Sequence, residues 1–313
     1  MSMEELRVQT PHALTGRACA ASRYEESRRP DSLFVDPLAY KLAGREGRQS
    51  PMGSWIMVPR TRYGDDFLRR HYTKRVGPCR QVVLLGAGMD ARAYRMDGIP
   101  EAVFFEVDQQ TTFDVKEPLL VGEPILVRAR HAIATDFSAR HGQLTWVHQL
   151  LERGLSLEVP TVWLLEGLVM YLSLADQKAL MESIGKLSAP GSAVFHDAIS
   201  ETYVSARINV MGAPFLGGSD DYAGLWATHA GFAVVTVLDF ESVVVDRQKR
   251  DIKHSQRRGL CPCTADRLTG KHVVLFVEAE RSVDPKCDRA SSATQTGRPS
   301  SVSHKLPFQF SWS

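Results

Sequence analysis

Gln81-Val82-Val83-Leu84-Leu85-Gly86-Ala87-Gly88-Met89-Asp90-Ala91 is the stretch that decides the fold. An apolar run stops at Gly-Ala-Gly and passes into helix-forming residues up to Met96. Such a pattern reads as a buried strand that turns sharply into a helix. The two glycines let backbone approach a ligand where a Cβ would intrude. A second apolar run, Val103-Phe104-Phe105, ends in Glu106-Val107-Asp108. Its carboxylates fall about 20 residues after the turn, the spacing at which an acid reaches ribose hydroxyls. Turn and acid together predict a nucleoside-bearing cofactor in an α/β fold.

Outward from that point the pattern alternates. Strands are predicted near 81–86, 102–107, 131–136, 161–166 and 191–197, with helices near 91–96, 109–120, 139–153 and 174–187. The last helix opens on a capping box, Ser173-Leu174-Ala175-Asp176. Short strands and helices in alternation predict a parallel sheet covered on both faces. Beyond a helix at about 219–231, two strand-like runs follow, Phe232 to Phe240 and His272 to Glu280. No amphipathic crossover helix joins them, so they are expected to pair antiparallel. The prediction is a mostly parallel sheet with a reversed terminal strand.

The chain divides into three expected regions. Residues 1–78 are helical in pattern and form an N-terminal lid, with one helix from Pro37 stopping at Gly44 and another from Trp55 to Tyr72. Residues 79–281 form the core. Residues 282–313, rich in Ser, Thr, Arg and Pro, read as a disordered tail.

With 313 residues, 43% hydrophobic and 24% charged, the composition is that of a soluble globular protein. A net charge of +2 gives no reason to expect nucleic acid or an anionic membrane as partner. The apolar runs are strand-length, short of the roughly 20 residues a membrane helix needs. Glu4, Glu5 and Arg7 stand where a secretory signal would need apolar residues. The five cysteines are scattered and odd in number, as expected of free thiols in the cytoplasm. Cys261 and Cys263 lack a second pair at zinc-finger spacing, and no metal is expected. The basic run Arg247 to Arg258 reads as a solvated loop, because no aromatic residues are interleaved for stacking.

On the glycine motif alone, a nicotinamide dinucleotide and S-adenosyl-L-methionine are almost equally admissible. Two features favour the second. A dinucleotide fold needs two mononucleotide halves, and no second glycine turn follows a strand. A reversed terminal strand also belongs to the methyltransferase version of the sheet. Further motifs extend the comparison: Arg60-Thr61-Arg62-Tyr63-Gly64-Asp65-Asp66-Phe67, the turn through Met96, Phe105-Glu106-Val107-Asp108-Gln109, Thr135-Asp136-Phe137, and Trp163-Leu164-Leu165-Glu166-Gly167-Leu168-Val169-Met170-Tyr171-Leu172. In this order the chain resembles the leucine carboxyl methyltransferase superfamily, in particular its bacterial S-adenosyl-L-methionine-dependent branch. The resemblance implies a class I methyltransferase Rossmann-like fold and residue roles. Gly86 and Gly88 would pack on the cofactor's amino-acid part. Asp108, with Glu106 nearby, would hold the ribose, and Asp136-Phe137 would contact the adenine. Glu166 would face the ammonium and sulfonium. Arg60, with Arg62 as the alternative and Arg23 assisting, would pair with the carboxylate. The chain has Ala91 where the family usually has Thr, and Gln110 where it often has Pro.

Methyl transfer from a sulfonium is an in-line displacement, so the protein mainly aligns the reactants and excludes water. A carboxylate acceptor needs no base, whereas a hydroxyl does. Acceptor-side candidates belong at the C-terminal ends of strands: His196 and Asp197 after the fifth strand, and Tyr171 after the fourth. The expected reaction is O-methylation of a small molecule, a carboxylate or a hydroxyl. A protein C-terminal carboxylate, a nicotinamide-dependent oxidation and a non-catalytic binding module are the rival readings.

Overall fold

The computed structural model describes residues 11–74, 79–137, 143–205, 209–240 and 274–283. The tail beyond Val283, the basic run and Cys261-Pro262-Cys263 lie outside these residues. Three helices come first: α1 (Pro11–Ser27), α2 (Ala39–Gln49) and α3 (Ser54–Tyr72). The core strands follow as β1 (Gln81–Leu85), β2 (Val103–Asp108), β3 (Ala129–Ala134), β4 (Thr161–Leu165) and β5 (Ala193–Ile199). Between them run α4 (Arg92–Arg95), α5 (Gln110–Leu120), α6 (Gln143–Glu152) and α7 (Leu174–Leu187). Then come α8 (Glu201–Ser205), a small hairpin of β6 (Asn209–Val210) and β7 (Ala213–Pro214), α9 (Tyr222–Ala230), β8 (Val234–Asp239) and β9 (Val274–Glu280).

The main sheet has seven strands in the order β3-β2-β1-β4-β5-β9-β8. β1 pairs in parallel with β2 and β4, whereas β9 runs antiparallel to both β5 and β8. The last strand is therefore the reversed one, as expected. It does not form the edge: it inserts between β5 and β8, and β8 is the edge strand.

Strand alternation sorts two cores onto the two faces. Phe105, Val107, Trp163, Leu165 and Val194 meet buried residues of α6, α7 and α9, among them Trp146, Ile184 and Trp226. Val82, Leu84, Phe104, Leu164, Phe195 and Phe276 meet Phe67, Leu68 and Tyr72 of α3. Burying a large apolar side chain contributes roughly 1.5–3 kcal/mol, so the two layers dominate the stability of the sheet.

Local signals set the helix boundaries. Ser173 caps α7 by accepting the Asp176 N–H at 3.2 Å. Asp221 caps α9 by accepting the Gly224 N–H at 2.8 Å. The helix expected to stop at Gly44 instead continues to Gln49 past a kink, with Gly44 at φ 57°. A Cβ there would lie 2.2 Å from the Arg17 guanidinium, so the kink seats α1 against α2. Among the described residues no helix is long and apolar enough to cross a membrane.

Candidate active site

The C-terminal ends of β1, β2, β4 and β5 open into a cavity of about 480 Å³, roofed by α1 and the start of α3. β1 ends in Gly86 (φ 70°) and Gly88 (φ 47°), both in the left-handed region. The turn is pinned from behind. Gly86 and Ala87 donate their N–H groups to the Val107 carbonyl at 2.9 and 3.2 Å. Gly88 donates its N–H to Asp108 Oδ2 at 2.7 Å, and Gln109 N–H donates to Asp108 Oδ1 at 2.6 Å. A Cβ on Gly88 would meet no atom nearer than 3.9 Å and would stand in the cavity. Burial raises the Asp108 pKa, against the opposing pull of the Gly88, Thr112 and Gln109 donors.

Behind the glycine turn lies a buried lattice of charges. Arg92, 1% exposed, donates to Asp65 at 2.7 Å, to Asp90 at 2.6 Å and to Glu166 at 2.6 Å. Asp65 also accepts two bonds from Arg95, at 2.7 and 2.8 Å. Burial alone would raise the Asp65 pKa, but Arg95 and Arg92 hold it well below the usual carboxylate range. Arg60 donates to Asp197 at 2.9 Å, and its Nε sits 3.6 Å from Glu166. That Nε is buried without a hydrogen bond. Gly64 makes the close packing possible, because a Cβ there would fall 2.1 Å from Glu166 Oε1. Burial, aided by Asp90 and Asp197, pushes Glu166 up to about 7 against the opposing pull of Arg92 and Arg60.

Gly86, Gly88, Asp108, Asp136, Phe137, Glu166, Arg60, Asp197 and Tyr171 all line this one cavity, and Arg23 joins them from α1. Phe137 packs edge-on against Trp146 at 6.1 Å, and Asp136 is exposed at the rim. Asp197 also accepts the Gly167 N–H at 2.6 Å.

Three expected site residues lie elsewhere. Glu106 is fully buried and accepts from Lys116 at 2.6 Å and from Arg130 at 2.8 and 2.7 Å. Its carboxylate is taken up by that pair, with Glu117 as the second acid on Arg130, and it does not face the ribose position. His196 projects to the opposite face of the sheet from Asp197, as strand alternation requires. There its Nε2 accepts the Trp226 Nε1–H at 2.8 Å, and its Nδ1 lies 3.2 Å from the Asp197 carbonyl. It is a core histidine, not an acceptor ligand. Arg62 stands two residues from Arg60, off the helix face that points at the cavity. It pairs with Asp66 at 2.8 Å and with the Leu33 carbonyl at 2.6 Å.

The sequence reads Asp65 and Asp66 as salt-bridge formers rather than metal ligands, and Asp65 does pair with Arg92 and Arg95, but sequence reasoning missed Arg92, Asp90 and Arg95 as parts of the site. Their signal was the density of arginines among apolar positions on α3 and α4, where a solvated face would carry fewer apolar neighbours. It also missed the wall formed by Tyr203, Val210, Pro214, Phe215 and Leu216.

The sequence and the fold have counterparts. Residues 17–185 match the leucine carboxyl methyltransferase family, and the chain belongs to it. A Streptomyces coelicolor protein provisionally named an S-adenosyl-L-methionine-dependent methyltransferase is 37% identical over 205 residues, which cover 59% of this chain and 65% of that one, just under two thirds of its length. A Parafrankia protein of the same provisional name is 35% identical over 231 residues, covering 68% and 70% of the two chains. A crystal structure from Thermobifida fusca, titled as a methyltransferase on the same provisional footing, superposes with a TM-score of 0.50 at 15% identity, covering 84% of this chain and 94% of that one. The fold is that of the class I methyltransferases, and the family is that of the leucine carboxyl methyltransferases.

Proposed function

We propose that the chain transfers a methyl group from S-adenosyl-L-methionine to an oxygen of a small molecule, a hydroxyl or a carboxylate. The observation that carries this reading is the cavity at the strand ends. Its turn has an open Gly88, an acid fastened to that turn, and an orphaned Arg60 Nε. The charge balance fits as well. Three arginines (Arg23, Arg60, Arg92) face five carboxylates (Asp90, Asp108, Asp136, Glu166, Asp197). An acid-rich cavity suits a ligand with a net positive charge, and the sulfonium cofactor carries an ammonium, a sulfonium and one carboxylate.

Asp108 would hold the ribose hydroxyls, and Asp136 with Phe137 the adenine. Arg60 would meet the carboxylate, and Glu166 with Asp197 the cationic end. The bound cofactor supplies an activated methyl group. The residues around it orient the acceptor oxygen and keep water out, since an in-line displacement asks chiefly for alignment.

Thermal shift and calorimetry with S-adenosylhomocysteine and with NAD test the reading. Stabilisation by the homocysteine nucleoside is expected, and stabilisation by NAD alone would overturn it. Gly88→Val is the matched control. Its branch would occupy ligand space and abolish the heat of binding, while a left-handed non-glycine residue costs the fold only about 1–3 kcal/mol. Unchanged affinity in a folded Gly88→Val protein would place the cofactor elsewhere.

A further inference from the structure

The cavity changes character along its length. The glycine turn and its acids occupy one end. A second stretch of lining is formed by Trp55, Met170, Tyr171, Tyr203, Phe215 and Leu216, with Arg60 and Asp197 near Tyr171. Phe215 stacks edge-on with Tyr171 at a centroid distance of 5.2 Å and lies 6.3 Å from Tyr203. It follows the β6–β7 hairpin, whose tip residue Met211 (φ 52°) is the one described non-glycine residue in the left-handed region. Backbone held in that region persists where the surroundings over-determine it, commonly beside a ligand. The segment is tied down: Leu216 donates its N–H to the Met170 carbonyl at 2.8 Å. Leu216 is nonetheless 55% exposed, which leaves an apolar rim at the cavity mouth.

No described cation of the lining is free to meet an anionic acceptor. Arg23 is bonded to Asp36 and Arg92 to Asp65, Asp90 and Glu166, while Arg60 is bonded to Asp197 and its remaining Nε is the group assigned above to the cofactor carboxylate. Five carboxylates outnumber the three arginines of the lining, so no excess of positive charge awaits an anion there. A carboxylate brought to that second stretch would lose its hydration among aromatic faces and could gain only tyrosine hydroxyls as donors, with no uncommitted cation to offset its charge.

Resting on the methyltransferase reading, we infer that the acceptor is a neutral aromatic compound bearing a hydroxyl, clamped by Phe215, Tyr171 and Tyr203, and that aromatic carboxylates are excluded. In the transfer, the hydroxyl oxygen gives an electron pair to the methyl carbon. An O–C bond forms as the C–S bond breaks, the sulfur keeps that pair, and the hydroxyl proton passes to a carboxylate of the lining, the base that a hydroxyl acceptor needs.

Naphthol and naphthoate substituted at the same ring position separate the cases, since at neutral pH they differ chiefly in charge. The protein is first saturated with S-adenosylhomocysteine, and that heat is recorded on the same sample. Each probe is then titrated by calorimetry. Naphthol is expected to bind about tenfold or more tighter than naphthoate, and Phe215→Ala to weaken naphthol about tenfold with the nucleoside heat unchanged. Phe215→Leu, which keeps the volume and loses the ring, serves if Phe215→Ala does not fold. Naphthoate binding as tightly as naphthol overturns the acceptor class, as does full naphthol affinity in both variants. A protein that takes up no S-adenosylhomocysteine overturns the methyltransferase reading instead.

Discussion

Glu106 and Asp108 leave β2 on the same face, two residues apart, yet their surroundings give them opposite tasks. Glu106 is enclosed by Lys116 and Arg130 and is satisfied without any ligand. Asp108 reaches past the strand end, accepts backbone donors from the glycine turn and lines the cavity. The difference is measurable at single residues. Asp108→Ala should weaken S-adenosylhomocysteine binding by about 1–3 kcal/mol through lost hydrogen bonds. Glu106→Ala should instead cost stability, about 3–5 kcal/mol, because it strands a buried ammonium beside a guanidinium. Its nucleoside affinity, measured by calorimetry at a temperature where the variant is folded, should stay near that of the parent. If Glu106→Ala loses nucleoside affinity as Asp108→Ala does, then Glu106 reaches the ligand and is not confined to Lys116 and Arg130.

At the scale of elements, α3 and α4 are joined by charge where most helices are joined by apolar contact. Asp65 on α3 takes both Arg92 and Arg95 of α4, and all three side chains are nearly inaccessible. Asp65→Ala leaves two guanidinium groups buried against one fewer carboxylate. It should lower unfolding free energy by about 3–5 kcal/mol in urea titration. A loss below about 1 kcal/mol would be that of an exposed pair and would mean the lattice is hydrated. This brace was hard to read from sequence, because charged residues on a helix ordinarily mark a solvated face. The strands were legible for the opposite reason: Val82 to Leu85 and Val162 to Leu165 are uninterrupted apolar runs, which only a sheet covered on both sides can bury. The absent crossover helix announced the antiparallel β9, but strand order is a long-range property and did not show that β9 lies inside β8. The two-residue strands of the β6–β7 hairpin are too short to carry a period, so the wall they support was invisible. His196 and Asp197 are neighbours in the chain, and period two alone places them on opposite faces. Among the site residues, those at strand ends were readable from spacing. Arg60 was not separable from Arg62 until α3 was oriented.

Across the whole molecule, buried histidines and buried carboxylates act in opposite directions on how stability responds to acid, and His71, His196 and Glu166 are the clearest cases. Burial, with Lys74 and Arg70 nearby, lowers His71 from 6.5 to about 3. Its Nε2 lies 3.5 Å from Glu280 without a hydrogen bond. Burial lowers His196 from 6.5 to about 4, against the opposing pull of the Asp197 carbonyl and carboxylate. The Trp226 donor, which needs a lone pair on Nε2, favours the neutral ring. Both groups bind a proton more readily in the unfolded chain, so each removes stability as pH falls below 6.5. Glu166 has the reverse sign. Its folded pKa of about 7 lies above its ordinary 4.5, so the native state takes up protons first and gains stability as pH falls through that window. His131, lowered by burial, acts with the two histidines, and Asp108, raised by burial, acts with Glu166; the histidines prevail in this reading, and the urea midpoint should be lower at about pH 5 than at about pH 7. The signs separate in the variants. His196→Gln keeps an acceptor and a donor but cannot titrate, and it should narrow the difference between the two midpoints. Glu166→Gln removes the opposing contribution and should widen it. Should both variants move the difference in the same direction, or leave it unchanged, the acid sensitivity does not originate in these two groups.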